Sequence, residues 1–228
     1  MNNKEILEQI KGGLIVSCQA LKTEPLYSSD IMARMAVAAE GEGAVGIRAN
    51  TICDILEIRK RVKLPMIGII KEVYDESDVY ITPTQKEIEA LIETGVEIIA
   101  IDGTKRLHTG GRTLKEIFTP IRKKYPNQLF MADCSNFEDA KSACELGFDL
   151  VGTTLAGYTK DTAGRTLPDV ELIERISKEL PVPVVAEGGI HYPCQLKEVF
   201  EKGAFTAVVG GAITRPQEIC RRFVAAIK

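Results

Sequence analysis

Lys71 ends the run Met66-Ile67-Gly68-Ile69-Ile70, which holds no other polar side chain. Glu187 ends Val182-Pro183-Val184-Val185-Ala186 and stands directly before the pair Gly188-Gly189. Polar residues that close apolar, β-branched runs are candidates for inward acid/base groups. Burial disfavours a charged ammonium, so an inward lysine becomes a usable base. A second glycine pair, Gly210-Gly211, closes Phe205-Thr206-Ala207-Val208-Val209, and Arg215 follows it. Glycine lets a backbone approach a ligand closely. A helix starting just beyond adds unpaired N–H donors and a partial positive charge. Two such turns on successive late strands make one phosphate cradle, so the chemistry suggested is proton transfer on a phosphate-bearing molecule.

The other strand ends carry further polar residues: Gln19, Arg48, Asp102, Asp133 and Thr153-Thr154. Arg48 and Gln19 suit oxygen atoms of a polar substrate. Asp133 can orient either acid/base group or bind a hydroxyl. Simpler roles compete: a snorkelling rim lysine for Lys71, an ion pair with an inward Lys or Arg for Glu187. Gly103-Thr104-Lys105 follows Asp102, which suits an aspartate that only shapes a turn. His108 lies in the loop Lys105–Gly111, which suits a lid, and His191 flanks the first glycine pair. No DxD, HxH or ExxH spacing suggests a metal. No GxGxxG follows the first strand, so no dinucleotide is expected.

These residues need elements that converge them. Eight apolar runs read as strands: Gly13–Gln19, Ala44–Ala49, Met66–Lys71, Glu97–Asp102, Leu129–Cys134, Leu150–Leu155, Val182–Glu187 and Thr206–Gly210. They do not alternate cleanly, as expected of strands buried on both faces of a parallel sheet. Amphipathic stretches lie between them. Ser28/Ser29/Asp30, Thr51, Pro83-Thr84, Thr113, Ser135-Asn136 and Pro168-Asp169 are candidate helix starts, and Pro193 and Pro216 sit at candidate first turns. A short helix, Lys4–Ile10, precedes the first strand. The pattern predicts a single α/β domain over residues 1–228, a (β/α)8 TIM barrel with its phosphate site after strands seven and eight. An open doubly wound sheet is the competing architecture. The paired late turns favour the barrel.

The 228 residues are 45% hydrophobic and 27% charged, with a net charge of -3. No strong field advertises a nucleic acid or a membrane surface, and the lack of Trp leaves no base-stacking platform. Six cysteines form no CxxC and no zinc spacing. The polar start and the absence of a long apolar run predict a cytoplasmic protein with reduced thiols. The apolar terminal stretch Ile219–Ile227 suits an interface, and a homo-oligomer, a dimer, is expected.

The segments Gly12–Leu21, Gly46-Ile47-Arg48-Ala49-Asn50, Ile67–Lys71, Ala132-Asp133, Gly157-Tyr158-Thr159, Ala186-Glu187-Gly188 and Val209–Pro216 resemble those of N-acetylmannosamine-6-phosphate 2-epimerases, in order and over nearly the whole chain. The resemblance implies a TIM barrel that interconverts N-acetylmannosamine 6-phosphate and N-acetylglucosamine 6-phosphate in sialic-acid and amino-sugar breakdown, without metal or organic cofactor. It implies that Lys71 and Glu187 are catalytic. Gln19, Arg48 and Asp133 would hold the sugar, and Gly188, Gly189, Gly210, Gly211 and Arg215 would form the phosphate segments, with Glu187-Gly188 fixed more firmly than Gly189. This chain departs from the family's Arg-Pro-x-Gly loop, having Leu107-His108-Thr109-Gly110-Gly111. Inverting C2 requires an acidic C–H. Ring opening places C2 beside an aldehyde, so a base can form an enolate and an acid can return the proton to the other face. A lysine Schiff-base aldolase or another phosphosugar isomerase on the same barrel, and a phosphosugar-binding module without catalysis, are the alternatives.

Overall fold

Each apolar run becomes a strand in the computed structural model, which describes residues 1–228. The strands are β1 (Leu14–Cys18), β2 (Gly46–Asn50), β3 (Met66–Ile69), β4 (Ile98–Asp102), β5 (Leu129–Asp133), β6 (Leu150–Gly152), β7 (Val184–Glu187) and β8 (Thr206–Val209). All neighbours pair in parallel, and β1 pairs with both β2 and β8. The sheet therefore closes in sequence order as a (β/α)8 barrel. An open doubly wound sheet would reverse its strand order at a switch point.

Two strands end two or more residues before their apolar runs do. After Ile69 the backbone leaves the ladder for side-chain partners: Ile70 N–H donates to Thr82 Oγ1 at 3.3 Å and Lys71 N–H to Asn50 Oδ1 at 2.9 Å. Lys71 thus stands just past β3, bridged only to Ile81. β6 stops at Gly152, so Thr153 and Thr154 stand just above the ladder.

The helices are α1 (Asn3–Ile10), α2 (Ser29–Gly41), α3 (Ile52–Arg59), α4 (Gln85–Glu93), α5 (Leu114–Lys124), α6 (Phe137–Leu146), α7 (Val170–Glu179), α8 (Pro193–Glu201) and α9 (Pro216–Ala225). Their starts follow local chemistry. Ser28, Thr51, Thr84, Thr113, Asn136 and Asp169 each accept a backbone N–H of the first turn. Thr84 with Glu87, and Thr113 with Glu116, complete capping boxes. Gly147, in the left-handed region at φ 86°, ends α6.

Two cores result from the two faces of the sheet. Outward residues such as Ile47, Ile99, Phe130 and Val184 pack against the helices. Inward residues Ile15, Ile67, Ile98, Leu129, Leu150, Val185 and Val208 fill the barrel. Ile6 and Ile10 of α1 join this inner core, so α1 plugs the N-terminal end and the free mouth is at the strands' C-terminal ends. In the outer core Phe118 stacks on Phe148 at 3.8 Å and meets Phe130 edge-on at 5.2 Å. Phe118 is fully buried. Truncating it leaves a cavity in a close-packed layer, so F118A is expected to lower stability by about 3–5 kcal/mol, read as a lower urea midpoint.

Candidate active site

Side chains alternate across a strand, so positions two apart share a face. Extending each inward row past its apolar residues leads to the mouth. Ile15 leads to Ser17 and Gln19, Ile67 and Ile69 to Lys71, and Leu129 and Met131 to Asp133. Leu150 leads through Gly152 to Thr154, Val185 to Glu187, and Val208 to Gly210. Arg48 occupies the inward row of β2, above Gly46. The barrel period thus converges polar residues from β1, β2, β3, β6 and β7, with Gly210 after β8, on a cavity of about 300 Å³. Every residue expected to be catalytic or to hold the sugar or phosphate lines that cavity except Asp133.

At its floor lies an ion cluster around a fully buried arginine. Arg48, 1% exposed, grips Asp133 with both Nη atoms, at 3.1 and 2.6 Å. The same Arg48 Nη1 donates to Glu187 Oε2 at 2.8 Å. Asp133 is 0% exposed. It was expected to hold the sugar, but its oxygens are engaged by Arg48 and by Thr154 Oγ1 at 2.6 Å. It lies beneath the cavity and orients Arg48, because a buried carboxylate needs a paired cation. Arg48 Nε finds no partner in this buried cluster.

The electrostatics follow from that burial. Desolvation opposes the charge on Arg48, but Asp133 and Glu187 more than offset it and hold the guanidinium charged. Burial, then the Arg48 and Arg215 cations, pull Lys71 down to about 8 against Glu187 and Asp133. Glu187 lies above the ordinary carboxylate range. Burial is the main cause and Asp133 adds to it, while Arg48, the Thr154 hydrogen bond and Lys71 oppose it. Lys71 and Glu187 are both poised near neutrality, as acid/base catalysts need to be.

The expected phosphate cradle comprises the two glycine turns. Gly188 and Gly189 both have positive φ, 103° and 71°. At Gly189 a Cβ would stand 2.2 Å from Leu167 Cβ and 3.2 Å from its backbone, whereas at Gly188 the nearest atoms are 3.6 Å away. The second glycine, less firmly fixed by the resemblance, is therefore the one with no room for a side chain. Arg215 caps α9 and lines the cavity, held between Glu24 at 3.3 Å and Glu218 at 3.2 Å.

The loop read as a lid is instead strapped down. Arg106 pairs with Asp102 at 2.6 Å and donates to Asp78 O at 2.9 Å, and Asp102 accepts from Thr104. His108 is 1% exposed, with Nδ1 2.8 Å from Pro83 O. Burial lowers its pKa, so a neutral ring donates to that carbonyl. His108 does not reach the cavity, whereas His191 lies at its edge. Ser17, Tyr80, Thr154, Tyr158 and Glu218 also line it. Ser17 and Thr154 were legible from the inward rows. Tyr80 enters through the segment that pairs Ile81 with Lys71, which no pattern in the sequence marks.

Gln19 is 5% exposed. Its Nε2 donates to Ser17 Oγ at 2.9 Å and its Oε1 has no partner, leaving an acceptor in the wall. No group of three His, Cys, Asp or Glu side chains is arranged to hold a metal ion, and no helix is long and apolar enough to cross a membrane.

Known proteins resemble this chain over nearly its whole length. The family model described as "Putative N-acetylmannosamine-6-phosphate epimerase" matches residues 32–228. A Listeria innocua protein named "Putative N-acetylmannosamine-6-phosphate 2-epimerase" is 52% identical over 225 residues, covering 98% of this chain and 97% of its own. A Clostridioides difficile protein of the same name is 52% identical over 223 residues, covering 98% and 99%. The solved structure of the N-acetylmannosamine-6-phosphate 2-epimerase of Clostridium perfringens superposes with a TM-score of 0.93 at 49% identity, covering 97% of this chain and 96% of that one. A match of this extent makes the chain a member of the N-acetylmannosamine-6-phosphate epimerase family.

Proposed function

We propose that this chain interconverts N-acetylmannosamine 6-phosphate and N-acetylglucosamine 6-phosphate by removing and returning the C2 proton of the ring-opened sugar. One observation carries the reading. Lys71 and Glu187 extend β3 and β7, on opposite sides of an eight-stranded ring, and line one cavity with the phosphate cradle. A phosphate gripped at Gly188, Gly189, Gly210, Gly211 and Arg215 positions the sugar without crowding its reacting carbon. The open-chain C2 then lies between Lys71 and Glu187.

The aldehyde makes the C2 proton acidic. One group of the pair takes it, charge moves to the carbonyl oxygen as an enolate, and the other group returns a proton to the opposite face. In one direction the pair starts as neutral lysine with protonated glutamate, in the other as ammonium with carboxylate. Both forms carry one proton between the two groups, so a single protonation level serves both directions. The cation of Arg48, and the ammonium when Lys71 is charged, favour the enolate's negative charge. Gln19 offers its free acceptor to a substrate donor. No step calls for a metal or organic cofactor. We place this reaction in the cytoplasm, in sialic-acid and amino-sugar breakdown. We also assign a homodimer, supported by the apolar side chains on α9, where Phe223 is 75% exposed.

A lysine poised at about 8 would also serve as a Schiff-base nucleophile. An aldolase would leave a lysine adduct after borohydride reduction with substrate present, and the epimerase would not. A phosphosugar-binding module without catalysis would bind both sugars and exchange no proton.

NMR of N-acetylmannosamine 6-phosphate with the protein in heavy water should show N-acetylglucosamine 6-phosphate carrying deuterium at C2. Binding without conversion or exchange would overturn the reading. K71A and E187A should each lower kcat/KM by about 10²–10⁴-fold with the fold intact by circular dichroism. A variant that keeps full activity removes its residue from the pair.

The pH profile tests the shared proton. As pH falls through the raised pKa of Glu187, the pair gains a second proton and activity drops. As pH rises through about 8, Lys71 loses the last proton and activity drops again. kcat/KM is expected to be bell-shaped, its acid limb above the ordinary carboxylate range, and a flat profile across both limbs would contradict the assignment.

A further inference from the structure

Asp133 Oδ1 and Glu187 Oε2 face the same two donors. Arg48 Nη1 is 3.1 Å from the first and 2.8 Å from the second. Thr154 Oγ1 is 2.6 Å from the first and 3.2 Å from the second. An arginine Nη carries two hydrogens and can serve both oxygens, while the hydroxyl has one to share between them. The seat of Thr154 is built from below. Its inward neighbour Gly152, the register partner of Asp133, has no space for a Cβ: Met131 Cε would lie 2.2 Å from it and Thr154 Oγ1 3.0 Å. The adjacent Thr153 holds the glutamate's main chain, donating to Glu187 O at 2.9 Å and accepting from Glu187 N–H at 3.1 Å. Two consecutive threonines thus secure Glu187, one by its backbone and one by its carboxylate.

We propose that Thr154 is a positioning residue of the acid/base pair, its hydroxyl bridging Asp133 to Glu187 and supporting the ionised form of Glu187. This rests on Glu187 being half of that pair. The groups facing Glu187 are Arg48 from β2, Lys71 after β3, Asp133 from β5, and Thr154 and Tyr158 after β6. Arg215 and Glu218 at the start of α9 act on Lys71 and Tyr158, and Tyr80 faces Asp133 and Arg48. Only Arg48, Lys71 and the Thr154 hydroxyl favour the Glu187 anion, and burial and Asp133 oppose it. Two carboxylates sharing one site cannot both ionise freely. A valine at 154 keeps the branched shape and removes the donor, so ionising Glu187 becomes harder.

The test compares T154V and T154S by the pH dependence of kcat/KM for N-acetylmannosamine 6-phosphate. In T154V the acid limb should move up by roughly half a unit to one unit, the scale of one hydrogen bond to a charged acceptor. kcat at neutral pH should fall about three- to tenfold with KM changed less than about threefold. T154S, which restores the hydroxyl, should return the limb to its wild-type position. If T154V fails to fold, T154A replaces it with the same expectation. The carboxyl 13C titration of Glu187 in the substrate-free protein should move in the same direction. An acid limb that stays put in T154V, or that moves equally in T154S, overturns the proposal. An E187Q variant separates the two readings. Full activity in E187Q sinks the assignment of Glu187 itself, whereas an inactive E187Q beside an unshifted T154V sinks only the role of Thr154.

Discussion

One buried cation organises the mouth of this barrel. Arg48 is enclosed on all sides, and its guanidinium is tolerable there only because Asp133 and Glu187 share it. Asp133 takes the bidentate grip, which leaves Glu187 with one oxygen held and the other end of its carboxylate facing the cavity. The cation thereby fixes the carboxylate of Glu187 at the cavity wall. It also acts across the cavity, since the same positive charge helps pull Lys71 below the ordinary lysine range. Its charge lowers both groups, so Glu187 rises toward Lys71 through burial and Asp133, against Arg48.

The rest of the fold makes that cluster possible. Closure of the sheet removes its edges and creates an interior lined by alternate residues of every strand. Apolar side chains fill the lower layers, and Ile6 and Ile10 of α1 close the bottom. Polar residues are then confined to the top layer, where each strand contributes its last inward position. The glycine turns after β7 and β8 bring backbone to the rim and leave the space above it open. Steric need and ligand need coincide at Gly189, where Leu167 packs so closely that any side chain would clash. The turn that shapes the cradle is thus also a packing contact with the segment before α7.

How much of this was legible beforehand depends on the range of the interaction. Helix starts at Ser28, Thr84, Thr113 and Asn136 are caps made within three residues, so local sequence sufficed. Strand existence was equally local, but strand ends were not. β3 stops at Ile69 because Asn50 and Thr82, far away in sequence, take the next two N–H groups. The candidates Lys71, Glu187, Arg48 and Gln19 were legible because a polar residue closing an apolar run has few structural uses. Asp133 was legible as a site residue but not as a floor residue, since nothing local says that Arg48 would consume its oxygens. The loop at Lys105–Gly111 resembled a lid because its composition is polar and glycine-rich. Arg106 and His108 instead find Asp102, Asp78 and Pro83 as partners across the fold.

The sequence by itself determined the element order, the two-faced burial of the strands, the glycine turns and the chemical types gathered at the strand ends. Those properties follow from periodicity, capping and backbone freedom, which act over a few residues. Tertiary structure alone decided which polar groups meet. Arg48 and Glu187 lie 139 positions apart in the chain, and Arg48 and Asp133 85 apart, and only barrel closure brings them within hydrogen-bonding distance. The shift of Lys71 and Glu187 toward neutrality belongs to that same level, because it arises from desolvation and from charges supplied by other strands.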